Sequence, residues 1–135
     1  MSFGGDLEKF GIKTKAEGER VMRKSAFDLF ASVIYQTPID KGVLRNNWFA
    51  TIGKPSTETT DESDKIGNGT VARMESVVNA ADWENTVFMT NNLPYSIPIE
   101  YDGWSAQAPQ GMVRINTARW DSIVMNNAKA LASGD

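Results

Sequence analysis

The sequence predicts a single α+β domain, in which a small antiparallel sheet packs against two or three helices and one long loop connects two elements. Three observations predict this fold class. The length of 135 residues fits one domain. The hydrophobic content of 41% is enough for one core. Segments with helical spacing of apolar residues are interrupted by short runs with strand-like alternation, which is the order of an α+β domain.

The first predicted elements are a flexible arm and a long helix. Residues 1–13 are predicted to form the arm, since they contain two early glycines. The helix is predicted to begin at Thr14, because Thr14-Lys15-Ala16-Glu17 has the form of a capping box. Apolar residues then follow helical spacing as far as Ile34, and Pro38 ends the helix because it forces its predecessor out of the α region.

The next predicted element is a half-buried strand over residues 44–52. Its even positions are mostly apolar, Trp48 among them, and its odd positions include Arg45. In the turn before the strand, Gly42 is expected to take a positive φ and Asp40 to accept hydrogen bonds from turn amides. Arg45 and Trp48 would then point to opposite faces of the strand, with Trp48 in the core.

Residues 53–69 are predicted to form an exposed loop of unusual length. The loop holds glycines, a proline and four carboxylates, which belong to Glu58, Asp61, Glu62 and Asp64. It has almost no large apolar side chain, so it cannot bury enough surface to offset the backbone entropy lost on ordering. We therefore expect the part of the loop from Lys54 to Asn68 to be disordered in the free subunit and ordered by a neighbour.

The rest of the chain is predicted to contain a helix capped by Thr70, a strand over 85–91, a short edge strand within 93–103, a loop over 104–110, a strand over 111–116 and a last helix over 117–132. Two prolines restrict the 93–103 segment to an edge. In the 111–116 strand, Val113 and Ile115 are expected to face inward.

The composition excludes much chemistry. The chain has neither cysteine nor histidine, which removes thiolate chemistry and the commonest base and metal ligand at neutral pH. Carboxylate pairs occur at Asp82/Glu84 and Glu100/Asp102, and they are interpreted as solvated charges near turns rather than as an acid–base or calcium site. We therefore predict that the chain is not an enzyme and has no cofactor or metal site.

The charge pattern and the chain's first residues bear on partners and location. The net charge is −3, without a basic stripe, so nucleic acid is not expected as a tightly held ligand. No signal peptide and no membrane-length apolar run is apparent. A soluble protein made in the cytoplasm is expected, without a membrane partner.

Two segments carry a resemblance to a known family. The first runs Thr37-Pro38-Ile39-Asp40-Lys41-Gly42, then Leu44-Arg45, a polar pair and Trp48. The second comprises Asn92-Leu93-Pro94-Tyr95-Ser96, Glu100-Tyr101-Asp102-Gly103 and Gln107-Ala108-Pro109-Gln110-Gly111-Met112-Val113-Arg114. In this order they resemble the tail-completion, or head–tail joining, family of tailed bacteriophages. The family runs Glu-Tyr-Gly directly, whereas here Asp102 is inserted before Gly103.

The resemblance implies motif or interface roles for the residues that match the family pattern. These are Pro38, Asp40, Gly42, Leu44, Arg45, Trp48, Pro94, Tyr95, Glu100, Tyr101, Gly103, Ala108, Pro109, Gly111, Met112 and Arg114. Independently of the family, the Pro94-Tyr95 and Ala108-Pro109 steps suggest rigid bends, which lose little entropy when a surface docks onto a neighbour.

The resemblance also implies a function. It indicates a virion protein that forms a ring, expected to be a hexamer, at the head–tail junction. One face of the ring would contact the neck or connector protein and the other the tail tube or tail terminator, with DNA only as passing cargo. A neighbouring neck adaptor or tail terminator is the alternative. The rivals of other classes are a small enzyme or acidic calcium-binding module that uses Glu100, Asp102 and the loop carboxylates, and a nucleic-acid-binding accessory protein.

Two expectations concern assembly. The isolated chain is expected to be a monomer or weak oligomer that closes into a ring only in the virion. In the ring, the loop from Lys54 to Asn68 is expected either to line the bore, where its negative charge repels DNA phosphates, or to face outward or across an interface opposite basic residues of the adjoining ring.

Overall fold

A computed structural model describes Lys9, residues 11–82 and residues 84–134. The described chain is an α+β domain, as predicted. Its elements in chain order are α1 Lys15–Gln36, α2 Val43–Asn46, β1 Trp48–Ile52, α3 Asn68–Ala80, β2 Val87–Asn91, α4 Ser96–Tyr101, α5 Arg114–Thr117 and α6 Trp120–Ala132.

Helix α1 begins and ends where the sequence predicts. The Thr14 hydroxyl accepts a hydrogen bond from the Glu17 N–H at 3.1 Å and donates to the Glu17 carboxylate at 2.9 Å. At the other end, the Thr37 N–H donates to the Ile34 carbonyl and Pro38 follows. The capping residues therefore set both ends of the longest helix.

The sheet consists of two antiparallel strands. Trp48 at the start of β1 lies opposite Asn91, and Ile52 at its end lies opposite Val87. The strand predicted over 85–91 is thus confirmed as β2. Helix α3 packs against β1, while α1 packs against both α3 and α6. The long helix is therefore the central element, with the sheet layer on one side and α6 on the other.

Two groups of buried side chains form the core. The larger group is contributed by α1, α2, β1, α3 and the segment from α4 to α5, and it contains Ala31, Val33, Ile34, Leu44, Trp48, Val71, Met74, Val78, Ile99, Ala108 and Met112. The smaller group joins α1 to α6 through Ile12, Val21, Val124 and Ala128. Ile12 is only 4% exposed, so the predicted arm is wrong at this residue, although Gly11 and Lys13 on either side are exposed. Residues 1–8 and 10 of that arm lie outside the described residues.

The strand predicted over 44–52 is correct only from Trp48 onward. Residues 43–46 form the helical turn α2, which follows Gly42 at φ +84° and is closed by the Asn46 N–H on the Gly42 carbonyl. Arg45 is therefore not on the opposite face of a strand from Trp48, since both side chains are buried. Asp40 is exposed and has no hydrogen bond among the described residues, so its predicted role in the turn is also wrong.

Two other predicted strands are helical turns. Ser96–Tyr101 is α4, and it tolerates Pro98 because the N–H of a third helical residue has no partner within the helix. The strand predicted over 111–116 is replaced by α5, which leads directly into α6. Ile115 is consequently 39% exposed rather than inward. The predicted last helix is confirmed over Trp120–Ala132.

The second long helix, α3, begins two residues before its predicted cap. Its N-cap is Gly67 at φ +93°, and Thr70 lies inside the first turn. The cap is supplied from a distance, because the Asp64 carboxylate accepts from the Thr70 N–H at 2.8 Å and from the Gly67 N–H at 3.0 Å. Of the helices in the described part of the chain, none combines the length and apolar character required to span a bilayer.

Candidate functional site: two sequence motifs joined into one frame

The first motif is organised around the buried side chain of Thr37. Its hydroxyl donates to the Val33 carbonyl at 2.7 Å and accepts from the indole N–H of Trp48 at 2.8 Å. Trp48 is 5% exposed, which confirms its predicted place in the core. The end of α1 and the start of β1 are thus joined through one hydroxyl, whose importance the sequence did not reveal.

Arg45 connects three parts of the chain without a carboxylate bonded to it. Its guanidinium donates to the carbonyls of Tyr35 at 2.8 Å, Thr37 at 2.9 Å and Lys65 at 2.7 Å. Two of these carbonyls lie at the C-terminus of α1, where the helix dipole favours a cation. Burial lowers the pKa of Arg45, while Asp64 and Tyr35 raise it. We call this group of contacts the Arg45 anchor. The Nε atom of Arg45 is buried and finds no hydrogen-bond partner in the described part of the chain.

Gly42 allows a second segment to approach the motif. A Cβ at this position would lie 2.6 Å from the Lys65 backbone nitrogen, a contact that real side chains essentially never make. The Gly42 carbonyl accepts from the Asp64 N–H at 3.0 Å. The requirement for glycine is therefore set both by its positive φ and by the chain that crosses over it.

The second motif is organised around the carboxylate of Glu100. One oxygen accepts from the Met112 and Val113 N–H groups, each at 2.7 Å, and the other accepts from the Arg114 N–H and Nε, each at 3.0 Å. Gly111 is required beside it, because a Cβ there would lie 2.6 Å from the Glu100 carbonyl oxygen. We call these contacts the Glu100 latch, since they close the loop that runs from Asp102 to Val113.

The latch contradicts the interpretation of Glu100 as a solvated charge near a turn. Glu100 is 7% exposed, and Asp102, its predicted partner in a carboxylate pair, is exposed at the C-cap of α4. Burial raises the pKa of Glu100, but the hydrogen bonds from the backbone N–H groups and Arg114 outweigh it and hold the pKa below its ordinary value. The Arg114 guanidinium also stacks on the Tyr101 ring, 4.8 Å from its centroid.

The two motifs meet through residues that lie 68 positions apart in the sequence. The Gln107 side-chain amide makes two hydrogen bonds to the Ile39 backbone, accepting from its N–H at 2.9 Å and donating to its carbonyl at 3.0 Å. Ala108 and Met112 are buried in the same core group as Leu44 and Trp48. The structure therefore brings most of the predicted motif residues together. We call the two motifs, residues 37–48 and 92–114, joined by these contacts, the frame.

The outside of this frame exposes large apolar side chains. Ile97, Tyr101 and Trp104 are between 63% and 67% exposed, and Tyr95 is 38% exposed. Pro94, Gly103 and Pro109 are also exposed and shape the bends between them. A cleft of about 560 Å³ lies between the two motifs, and its lining includes Pro38, Asp40, Leu44, Tyr95, Ile99 and Trp104. The frame therefore holds an aromatic surface in a defined position.

The segment predicted to be disordered is held in place by side-chain amides. We call residues 54–64 the acidic segment. Asn92 donates to the carbonyls of Ser56 and Glu58. Asn47 both donates to the Thr60 carbonyl and accepts from the Thr60 N–H, and Asn46 donates to the Glu62 carbonyl. The expectation of disorder is therefore wrong, because three asparagines replace the missing apolar contacts.

The four carboxylates of the acidic segment do not form one set. Asp64 is half-buried and caps α3, and hydrogen bonds from Thr70 and Gly67 lower its pKa despite the opposing effect of burial. Glu58, Asp61 and Glu62 are exposed. Within the described ranges, no group of three acidic side chains is close enough to hold a metal ion.

The sequence missed the residues that support the frame. Arg73 on α3 donates to the carbonyls of Asn46 at 2.7 Å and Trp48 at 2.9 Å, and its guanidinium lies 4.3 Å from the centre of the Phe49 ring. The adjacent asparagines 46 and 47 were the available signal, since a polar pair in an otherwise apolar stretch suggests buried amides.

Comparison of the chain with family models, curated proteins and solved structures finds no match.

Proposed function

We propose that this chain is a structural subunit of a tailed bacteriophage, which forms a ring at the head–tail junction and joins the completed tail to the neck or connector. The proposal rests on the sequence resemblance and on one structural observation. One charged residue of each motif, Arg45 in the first and Glu100 in the second, is buried and bonded to backbone groups, while the frame they hold exposes aromatic side chains. A preorganised surface with exposed aromatic side chains suits a subunit whose role is to dock.

The exposed aromatic residues suit an interface. Tyrosine and tryptophan are enriched where partners bury surface, and a few such residues supply most of the binding energy. Tyr95 and Trp104 line the cleft between the motifs, and Tyr101 is fixed by its stack on Arg114. Because the Glu100 latch already closes the loop that carries Trp104, little conformational entropy remains to be lost on docking.

The role implies two unlike patches on each subunit. A ring is built from heterologous contacts, and its upper and lower faces bind different proteins. We propose that the partners are the neck or connector protein on one face and the tail tube or terminator on the other, in a hexameric ring with DNA passing through the bore. The localisation would then be the virion.

The test is a joining assay with particles from the genome that encodes the chain. The double variant Tyr95→Ser, Trp104→Ser should lower the yield of joined particles by about tenfold or more, the factor that corresponds to 1.4 kcal/mol of binding. Its thermal midpoint should match wild type, because both side chains are exposed. The control is Ser122→Ala, at an exposed serine of α6. Unchanged joining by the double variant would exclude this surface as the docking site.

Antibody labelling then separates the proposed role from its neighbours. Label at the junction of joined particles and at one end of free tails supports tail completion. Label on unjoined heads supports a neck adaptor, and tails of unregulated length in the absence of the chain support a tail terminator. Particles without any label would overturn the whole proposal.

A further inference from the structure

Strand β2 has an unpaired edge. The Gly53 N–H donates to the Thr86 carbonyl at 2.9 Å, one step beyond the last residue pair of the sheet. Hydrogen-bonded and non-bonded pairs alternate in an antiparallel ladder, so Val87 and Met89 direct their backbone groups away from β1. In the described chain, no strand pairs with that edge. None of the described residues makes a hydrogen bond to the backbone N–H or carbonyl groups of Val87 and Met89.

The edge of β2 also lacks the features that normally protect a strand edge. The strand reads Val-Phe-Met-Thr-Asn, without a lysine, a proline or any charge. The edge of β1 differs, because α3 packs against that strand and Arg73 donates to the Trp48 carbonyl. Of the two strands in the described chain, β2 is therefore the one against which no helix packs extensively.

The acidic segment has a second open edge. Its even-numbered residues use their backbone groups within the domain: the carbonyls of Ser56, Glu58, Thr60 and Glu62, and the N–H groups of Glu58, Thr60, Glu62 and Asp64, are all bonded. Among the described residues, nothing bonds to the backbone groups of the odd-numbered residues, Thr57, Thr59, Asp61 and Ser63. A period of two is that of an extended strand with one edge held and the other free.

We infer that two copies of this chain join by strand addition, with the acidic segment of one copy pairing along the free edge of β2 in the next. Each edge supplies the main-chain donors and acceptors that the other lacks. The choice of a second copy as the occupant rests on the proposed function, which requires repeated contacts between identical subunits.

Charge selects this pairing over a symmetric one. Two acidic segments side by side would bring Glu58, Asp61 and Glu62 of both copies together, which like-charge repulsion disfavours. The uncharged strand β2 brings no such repulsion. A contact between two β2 strands would close a two-fold dimer and could not propagate, whereas segment-to-β2 contacts are heterologous and can close into a ring.

Cysteine cross-linking tests the contact directly, because the chain contains no cysteine. Thr90→Cys, on β2, is mixed at high concentration with Thr57→Cys, Thr59→Cys or Asp61→Cys in separate oxidation reactions. The control mixture pairs Thr90→Cys with Ser122→Cys. We expect at least one segment mixture to give about tenfold or more mixed disulfide than the control, since an interface raises the effective concentration of the two thiols.

The single variants report the alternatives. A dominant homodimer of Thr59→Cys would indicate paired segments, a dominant homodimer of Thr90→Cys would indicate paired β2 strands, and either result overturns the inference. No product above the control, in the concentrated protein or in assembled particles, also overturns it.

A backbone variant provides an independent readout. Thr59→Pro removes one outward N–H that has no partner among the residues that the structure describes, and Thr59→Ala retains it. The proline variant should associate more weakly than the alanine variant in sedimentation, while both melt like wild type. Equal association would overturn the inference.

The two proposals can fail separately. If joined particles contain the chain but yield no mixed disulfide, this contact is wrong and the proposed function stands. If purified protein yields the mixed disulfide but particles lack the chain, the contact stands and the proposed function is wrong.

Discussion

Arg45 and Glu100 are buried charges of opposite sign, one in each motif, and both are stabilised mainly by the backbone. Arg45 bonds to carbonyls at the end of α1 and in the crossing segment at Lys65, so it connects regions that are far apart in the fold. Glu100 bonds to N–H groups twelve to fourteen residues later and closes one local loop. Its partner Arg114 is about half exposed, whereas Arg45 forms no ion pair with any residue that the structure describes.

Both charges bind backbone groups, but the hydrogen bonds of Arg45 connect distant regions of the fold, whereas those of Glu100 close a single loop. Loss of the Arg45 anchor should loosen the helix, the turn and the acidic segment together. Loss of the Glu100 latch should free mainly the loop that carries Trp104. The first motif is therefore expected to control global stability and the second to control the shape of the aromatic surface.

The largest effect is expected at Trp48. Trp48→Ala should reduce the free energy of unfolding by about 3–5 kcal/mol, because it leaves a large cavity and removes the donor to Thr37. Trp48→Phe keeps most of the packing and should lose less. A denaturant melt measures both, and a loss below about 1 kcal/mol for alanine would show that the indole is not part of the core.

Arg45→Lys sharpens the comparison, since it keeps the charge and removes the fork of donors. An ammonium cannot reach carbonyls on both sides, so buried acceptors are left unpaired at about 1–3 kcal/mol each. We expect a loss of stability together with faster amide exchange in both the end of α1 and the acidic segment. Faster exchange confined to one of them would contradict a global role for the anchor.

Glu100→Gln is expected to act locally. The amide can accept through one oxygen only, so the Glu100 latch should contribute about 1–3 kcal/mol less to the free energy of unfolding. Amide exchange should rise at Met112 and Val113, and in the loop between them and α4, but not in α1. Glu84→Gln, at an exposed carboxylate, is the matched control. Equal protection of the loop in both variants would exclude the latch.

The pH dependence of stability follows from the same carboxylate. The pKa of Glu100 is lower in the folded chain than its unfolded value of roughly 4.3. Its stabilising contribution is therefore fully present above that value and is lost as the pH falls through the folded pKa. The thermal midpoint of unfolding should fall as the pH is lowered through about 4, and it should fall less steeply in Glu100→Gln than in wild type. The variant should still show part of this fall, because the pKa of Asp64 is also lowered in the folded chain.

The smallest change in stability is expected from the exposed acids. Converting Glu58, Asp61 and Glu62 to amides, with Asp64 retained, should alter unfolding free energy by no more than about 0.5 kcal/mol. If the segment lies between copies, the triple variant permits segments to pair with each other, so the yield of joined particles falls while DNA ejection is unchanged. Slower ejection with normal joining would instead place the segment in the bore.

The sequence alone determined the long elements and the class of the fold. The Thr14 cap, the helical spacing of apolar residues and Pro38 define α1, and the same spacing identifies α3 and α6, because long amphipathic helices are encoded locally. The burial of Trp48 and the positive φ of Gly42 were also predictable, since each follows from the residue type and its immediate neighbours.

Only the tertiary structure decided the short elements and the roles of the charged residues. Helical turns of four to six residues are unstable in isolation, so α2, α4 and α5 exist because distant groups satisfy them. The Glu100 carboxylate requires N–H groups from residues 112–114, and the order of the acidic segment requires amides from Asn46, Asn47 and Asn92. These partners are separated along the chain, and a local pattern cannot encode which distant polar group will complete a buried hydrogen bond.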